Sequence, residues 1–230
     1  MRTARVCIRL WCGIEVSTMG LLRLLRRWPR VATAYVLALL GAYIWWILQS
    51  PQARLSVLAS SSTDIAHLEK APWVVLPASS IWSGNQFGYW AVVVLLCLGA
   101  LEHVRGALTT VVLGTVAHIV GTVVSEGVTA ARIAAGDLST SARNVLDFGP
   151  SYIVAACATA VVFSSGANRW LRVACAVTLI PLLVTAFDFS EESQVAAIGH
   201  ATAMLVGVAA VRLTPVRRWR SVEACPITAA

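Results

Sequence analysis

Ser151 and His200 are the two residues whose types and placement could do chemistry together. The stretch LDFGPSYIVAACATAVVFSS, residues 146–165, opens with loop residues and runs into an apolar helix with a hydroxyl just inside its start. Ser151 lies four residues beyond Asp147, or ~6 Å along a helix rising 1.5 Å per residue. His200 lies seven residues after Ser193 on a second apolar stretch, or ~10 Å by the same rise. If both helices enter from the same side, hydroxyl and imidazole share a depth. A serine nucleophile needs such a base, and His200 would take the proton of the Ser151 hydroxyl. Structural roles compete with that reading. Pro150 and Ser151 suit a helix start, where the first N–H groups lack intrahelical partners. His200 reads equally as a polar packing contact, and His118 reads as a structural residue bonding a neighbouring helix or water.

The elements that must position these residues are apolar helices. Of the 230 residues, 58% are hydrophobic and only 13% charged, against about a quarter charged in an ordinary soluble domain. The mean hydropathy is +0.75. Six stretches approach the roughly 20 apolar residues that a bilayer span requires: 31–49, 87–101, 107–125, 148–165, 170–187 and 194–212. The expected fold class is therefore an all-α polytopic membrane protein with six transmembrane helices. A basic segment 1–30 and a basic tail 213–230 flank a membrane domain at 31–212. With the N-terminus inside, 14 of the 18 Lys and Arg residues fall in inner segments. The outer loops hold Arg54, Lys70, Arg132 and Arg143. That bias places both termini in the cytoplasm and the chain in the plasma membrane as a multi-pass protein.

The net charge of +7 then reflects topology and anionic headgroups, and no nucleic-acid-binding pattern is present. The six cysteines lie in spans or inner tails, which predicts no disulfide framework, and no spacing suggests a metal or another cofactor. The first span reads as a retained anchor rather than a cleaved signal peptide. Either Met1 or Met19 suits the start of the chain.

The outer loop 50–86 mixes polar ASSSTD with Trp-rich APWVVLPASSIW, and is expected to lie on or dip into the outer leaflet. The second outer loop, 126–147, is expected to form surface helix plus turn. Very short inner connections at 102–106 and 166–169 imply tight antiparallel hairpins. Ionisable residues within or at the edge of spans are functional candidates by default: His118, His200, Glu102, Glu126, Asp147 and Asp188. Gly199, Ala203 and Gly207 form a small-residue stripe beside His200, and Ser151, Ala155 and Ala158 a similar face, which lets the two helices approach closely.

These residues together resemble the rhomboid family of intramembrane serine proteases, in a rhomboid-like branch of actinobacterial type, from about residue 71 to 211. PWVVLPASSIW is similar to the family's loop into its second helix, and LGALEHVRG to its turn between helices two and three. Gly149-Pro150-Ser151 matches the first three positions of GxSG, whose serine is the family nucleophile. His200, with Gly207 seven residues later, matches the last-helix pattern. The resemblance implies a six-helix rhomboid-like bundle and a Ser151/His200 dyad. It implies cleavage of transmembrane substrates near the outer face, with membrane lipids and transmembrane proteins as partners.

The chain also departs from the pattern. Tyr152 replaces the second Gly of GxSG, and Thr202 and Ala203 stand where glycines follow the histidine. The family's second-helix HxxxN falls on Phe87 or Gly88 and on Ala91 or Val92, none of which donates a side-chain hydrogen bond. Remaining oxyanion or support candidates are Gly149, Tyr152, Asn85, Gln86 and His118. A catalytically inactive relative that binds other transmembrane helices is the competing expectation. A small-solute transporter has the least support, because no internal repeat is visible.

Overall fold

In hydrocarbon every backbone N–H and C=O must be satisfied within the chain, so apolar stretches of this length fold as helices. The computed structural model describes residues 28–186 and 193–213. The basic residues 1–27, Asp188 and the tail 214–230 lie outside the described residues. Helices stand at all six apolar stretches: α1 (Arg30–Leu48), α5 (Phe87–Arg105), α6 (Ala107–Ala134), α7 (Ser151–Phe163), α8 (Arg169–Ala186) and α9 (Gln194–Leu213). Between α1 and α5 the chain forms α2 (Pro51–Ser61), α3 (Ile65–Leu68), α4 (Pro72–Ser80) and a 3₁₀ turn at Gly84–Gln86. Four helices among the described residues are long and apolar enough to cross a membrane: Arg30–Leu48, Gly84–Arg105, Ala107–Ala134 and Gln194–Leu213.

α7 sits at the centre, packed by α5, α6, α8 and α9. From Val154 to Val161 every residue of it is buried, and five of those eight are Ala or Cys. Small side chains let four neighbours close around one axis. Large aliphatic residues face outward instead: Val92, Leu108, Val184 and Leu205 are each more than 60% exposed, the inverse of a water-soluble core. Thirteen residues make α7 only ~20 Å long, well short of a ~30 Å hydrocarbon layer. Its N-terminal end therefore stops inside the bundle, where protein must satisfy it. The expected span 148–165 is trimmed at both ends, by Pro150 before the first turn and by Ser164 after the last.

α6 runs nine residues past its expected end at 125, through Ala134. The extension is amphipathic, with Ser125, Glu126 and Thr129 buried and Val128 exposed. The predicted surface helix in the second outer loop is thus a continuation of the third span. The hairpin from α5 to α6 turns at Gly106, whose φ of +90° is available to glycine without strain.

α1 begins after Pro29 with no local cap. The Glu102 carboxylate on α5 accepts from the backbone N–H groups of Arg30 (2.9 Å), Val31 (2.9 Å) and Ala32 (3.3 Å) instead. These charge-assisted bonds staple the first helix to the second long one.

The outer loop 50–86 goes deeper than its composition suggests. The Tyr35 hydroxyl on α1 donates to the Ser80 carbonyl (2.8 Å), and His118, ~16 Å into α6, bonds the Leu76 carbonyl (2.8 Å) and Ser79 Oγ (3.2 Å). α4 therefore descends to the level of His118. Its hydroxyls return to their own helix, Ser79 to the Leu76 carbonyl and Ser80 to that of Pro77, so a Ser-rich segment carries little unsatisfied polarity.

Candidate functional site

α7 and α9 meet through glycine. A Cβ at Gly207 would lie 2.5 Å from the Ala156 carbonyl oxygen and 3.1 Å from Thr159 Cβ, so the two backbones are nearly in contact there. The expected small-residue stripe is this interface, and Ala203 between the two glycines is fully buried. One turn before Ala203, the interface admits the Tyr152 ring, because position 199 has no side chain. A Cβ at Gly199 would lie 2.2 Å from Tyr152 Cζ, and one at Gly121 on α6 would lie 3.2 Å from Cδ2.

Tyr152 therefore fills a slot between two glycines, 2% exposed. Its hydroxyl donates to Asp147 Oδ2 at 3.0 Å and lies 3.3 Å from the Val195 carbonyl. Its ring stands edge-on to His200 with centroids 5.3 Å apart, and 6.1 Å from the His118 ring. Asp147 belongs to a cap over this end of the bundle: its N–H donates to Ser62 Oγ (3.0 Å), and the Thr63 N–H and hydroxyl reach its carbonyl (both 3.0 Å). Burial pushes the Asp147 carboxyl up to about 6, against the opposing pull of the hydrogen bonds from Tyr152 and Thr63.

His200 is buried between α8 and α9. Its Nδ1 lies 2.9 Å from Thr185 Oγ1, and that hydroxyl donates its only proton to the Leu182 carbonyl (2.9 Å). While that proton stays directed at Leu182, Thr185 can only accept from Nδ1, and in that tautomer Nε2 carries the lone pair. Nε2 has no hydrogen-bond partner among the described residues.

Ser151 is the first residue of α7 and half-buried, and its hydroxyl makes no hydrogen bond among the described residues. No direct bond joins it to His200. The two residues stand at a similar level, since the ring of Tyr152, the next residue after Ser151, lies 5.3 Å from that of His200. The first intrahelical bond of α7 runs from the Val154 N–H to the Pro150 carbonyl (3.0 Å). The N–H groups of Ser151, Tyr152 and Ile153 precede that bond and have no side-chain cap. They give the hydroxyl a local cluster of donors.

The support candidates fare differently. Gly149 has φ +117° and donates its N–H to the Ser79 carbonyl at 2.8 Å. Asn85 accepts from Trp46 Nε1 at 3.0 Å, Gln86 is exposed, and His118 Nε2 is held by α4. Tyr152 is in contact with His200, whereas Asn85 and Gln86 are turned to α1 and to the surface.

Sequence reasoning missed Thr185, which orients His200 across two helices and leaves no local pattern. It named His118 and Glu126 singly but missed that they belong to one buried polar stripe on α6, with Thr122, Ser125, Glu126 and Thr129 at i+4, i+7, i+8 and i+11 from His118. That helical period was the available signal. Arg132 bonds Gln194 at the stripe's outer end. No cluster of three His, Cys, Asp or Glu residues among the described residues could hold a metal ion.

A family model described as rhomboid-like protein matches residues 25–220, most of the chain. Neither a comparison with curated proteins nor one with solved structures returns a match.

Proposed function

The chain belongs to the rhomboid-like protein family, and from that premise we propose that it is an intramembrane serine protease using Ser151 and His200. Its six apolar helices all lie in the plasma membrane with both termini cytoplasmic, supported by the 14 of 18 cationic residues on the inner side. Its substrates are transmembrane proteins, cut near the outer face.

The observation that carries this reading is the setting of His200: Thr185 bonds Nδ1, and the buried Nε2 has no hydrogen-bond partner among the described residues. A general base needs that arrangement. In the reaction Ser151 Oγ attacks the scissile carbonyl and His200 Nε2 takes the hydroxyl proton. The tetrahedral oxyanion is stabilised by the uncapped N–H groups at the start of α7. Collapse breaks the C–N bond, and the proton on Nε2 passes to the leaving amine. Water then attacks the Ser151 ester, His200 again carrying the proton, which releases the carboxylate and restores the hydroxyl. The Ser–His bond required for the first step closes when substrate enters, as catalytic hydrogen bonds in apo sites are often long.

A fluorophosphonate probe tests the reading in detergent-solubilised or reconstituted protein. Wild type is expected to label covalently, while Ser151→Ala and His200→Ala are not. Wild type that fails to label while fully folded overturns it.

A second reading is favoured by a separate observation. Gly149 N–H and His118 Nε2, donors that could assist an oxyanion, are already bonded within the fold, Asn85 is turned to Trp46 on α1, and Tyr152 packs against the histidine. A non-catalytic relative that binds other transmembrane helices would be built this way. It predicts that Ser151→Ala retains the wild-type phenotype and every co-purifying membrane partner.

A further inference from the structure

A groove of about 660 Å³ opens at the inner end of the bundle, between the start of α1, the last turns of α5 and the start of α8. Its mouth carries Trp28, Arg30 and His103, all exposed, with the half-buried Glu102 beside them, and its wall is Leu95, Leu96 and Leu171. His103 and Leu95 are eight residues apart on α5, or ~12 Å along the axis. Charge at the mouth and hydrocarbon along the wall are thus separated by the distance from a lipid headgroup to the middle of its chain.

The electrostatics at this end are one-sided. Glu102 is its one acid among the described residues, and both of its oxygens are taken by the N–H groups of α1. Arg105, Arg169 and Arg172 lie at the same end of α5 and α8, and Arg23, Arg26 and Arg27 precede Arg30 in sequence. The Glu102 carboxylate offsets one of the four charges of Arg30, Arg105, Arg169 and Arg172 at this end, and an uncharged partner helix would use the leucine wall and leave the remaining excess without a counter-charge. An anionic amphiphile uses both.

We propose that this groove binds an anionic phospholipid, its phosphate at Arg30 and His103 and an acyl chain along Leu95, Leu96 and Leu171. The site is independent of the catalytic reading, since it lies at the end of the bundle opposite the cap at Asp147.

The test is native mass spectrometry of the full-length protein released from micelles containing equimolar phosphatidylglycerol and phosphatidylcholine. Wild type is expected to retain phosphatidylglycerol about fivefold over phosphatidylcholine, the selectivity of one well-placed cation. Arg30→Gln with His103→Gln brings the ratio to about one, whereas Arg30→Lys keeps the preference. Leu96→Trp, which fills the wall, lowers retention of both lipids. Equal retention by wild type overturns the proposal, as does a preference that survives Arg30→Gln with His103→Gln. Retention unchanged by Leu96→Trp overturns the placement of the chain.

Discussion

Gly199→Ala places a methyl group where the Tyr152 ring now lies. The new Cβ would stand 2.2 Å from Cζ and the hydroxyl oxygen and 2.5 Å from Cε1, against an optimal carbon separation of about 3.5–4.0 Å. Relief requires the ring to move by more than ~1 Å. The ring has nowhere to go, because Gly121 backs its other face and its hydroxyl is tied to Asp147 and Val195. The cost is expected at the upper end of the overpacking range, about 3 kcal/mol. For a chain of this size that lowers Tm by about 6–12 °C. Cys97, Cys157 and Cys175 are free and buried, so with Cys7, Cys12 and Cys225 replaced by serine a thiol-reactive dye reads unfolding on a temperature ramp. The decisive arm is Tyr152→Ala. That change alone costs about 3–5 kcal/mol by opening a cavity, but on its background Gly199→Ala should cost under about 0.5 kcal/mol, because the clashing partner is gone. If Gly199→Ala costs the same in both backgrounds, or nothing in either, Tyr152 does not occupy the slot and the account of the site fails.

Glu102→Ala strips the carboxylate from three N–H groups and is expected to destabilise by about 3 kcal/mol or more, with faster proteolysis at the start of α1 as an independent readout. The Asp147 carboxyl is raised to about 6 from an ordinary 3.8, so its contribution to stability is complete below pH ~3.8 and is lost as pH rises through about 6. Tm should accordingly fall between pH 5 and pH 7.5, and Asp147→Asn should remove most of that difference; a wild-type-sized pH effect in the variant refutes the assignment. Arg143→Ala removes an ion pair with Glu69 whose side chains are 39% and 61% exposed; the change in stability should stay below about 1 kcal/mol, and a larger loss would mean that the second outer loop bears on the core.

Much of the bundle was legible because hydrocarbon imposes one solution on an apolar stretch. The helices at 30–48 and 194–213, the turn at Gly106 and the stripe Gly199/Ala203/Gly207 follow from run length and from the position of residues without bulk. What escaped depends on contacts between segments far apart in sequence. LDFGPS reads as a bilayer edge, yet α7 starts inside the bundle because Ser62 and Thr63, over 80 residues earlier, bond Asp147. The Ser-rich run before α5 reads as lying on or dipping into the outer leaflet, and it descends to His118 because its hydroxyls bond backward along their own turns. Tyr152 reads in the sequence as an obstruction beside the candidate serine. Its fit depends on Gly121 and Gly199, which lie on two other helices and become informative only once those helices are placed.

The carboxylate that caps α1 also bears on the order of events during synthesis. α1 leaves the ribosome some 70 residues before Glu102 does, so its first turn enters the membrane with three donors unmatched. Those donors must be held by interfacial water until α5 arrives. Insertion of α1 and its final seating are thus separate events, and the second awaits a residue near the end of a later helix. A nascent chain arrested between residues 60 and 100 should carry a frayed first helix, and one arrested beyond α5 a closed one.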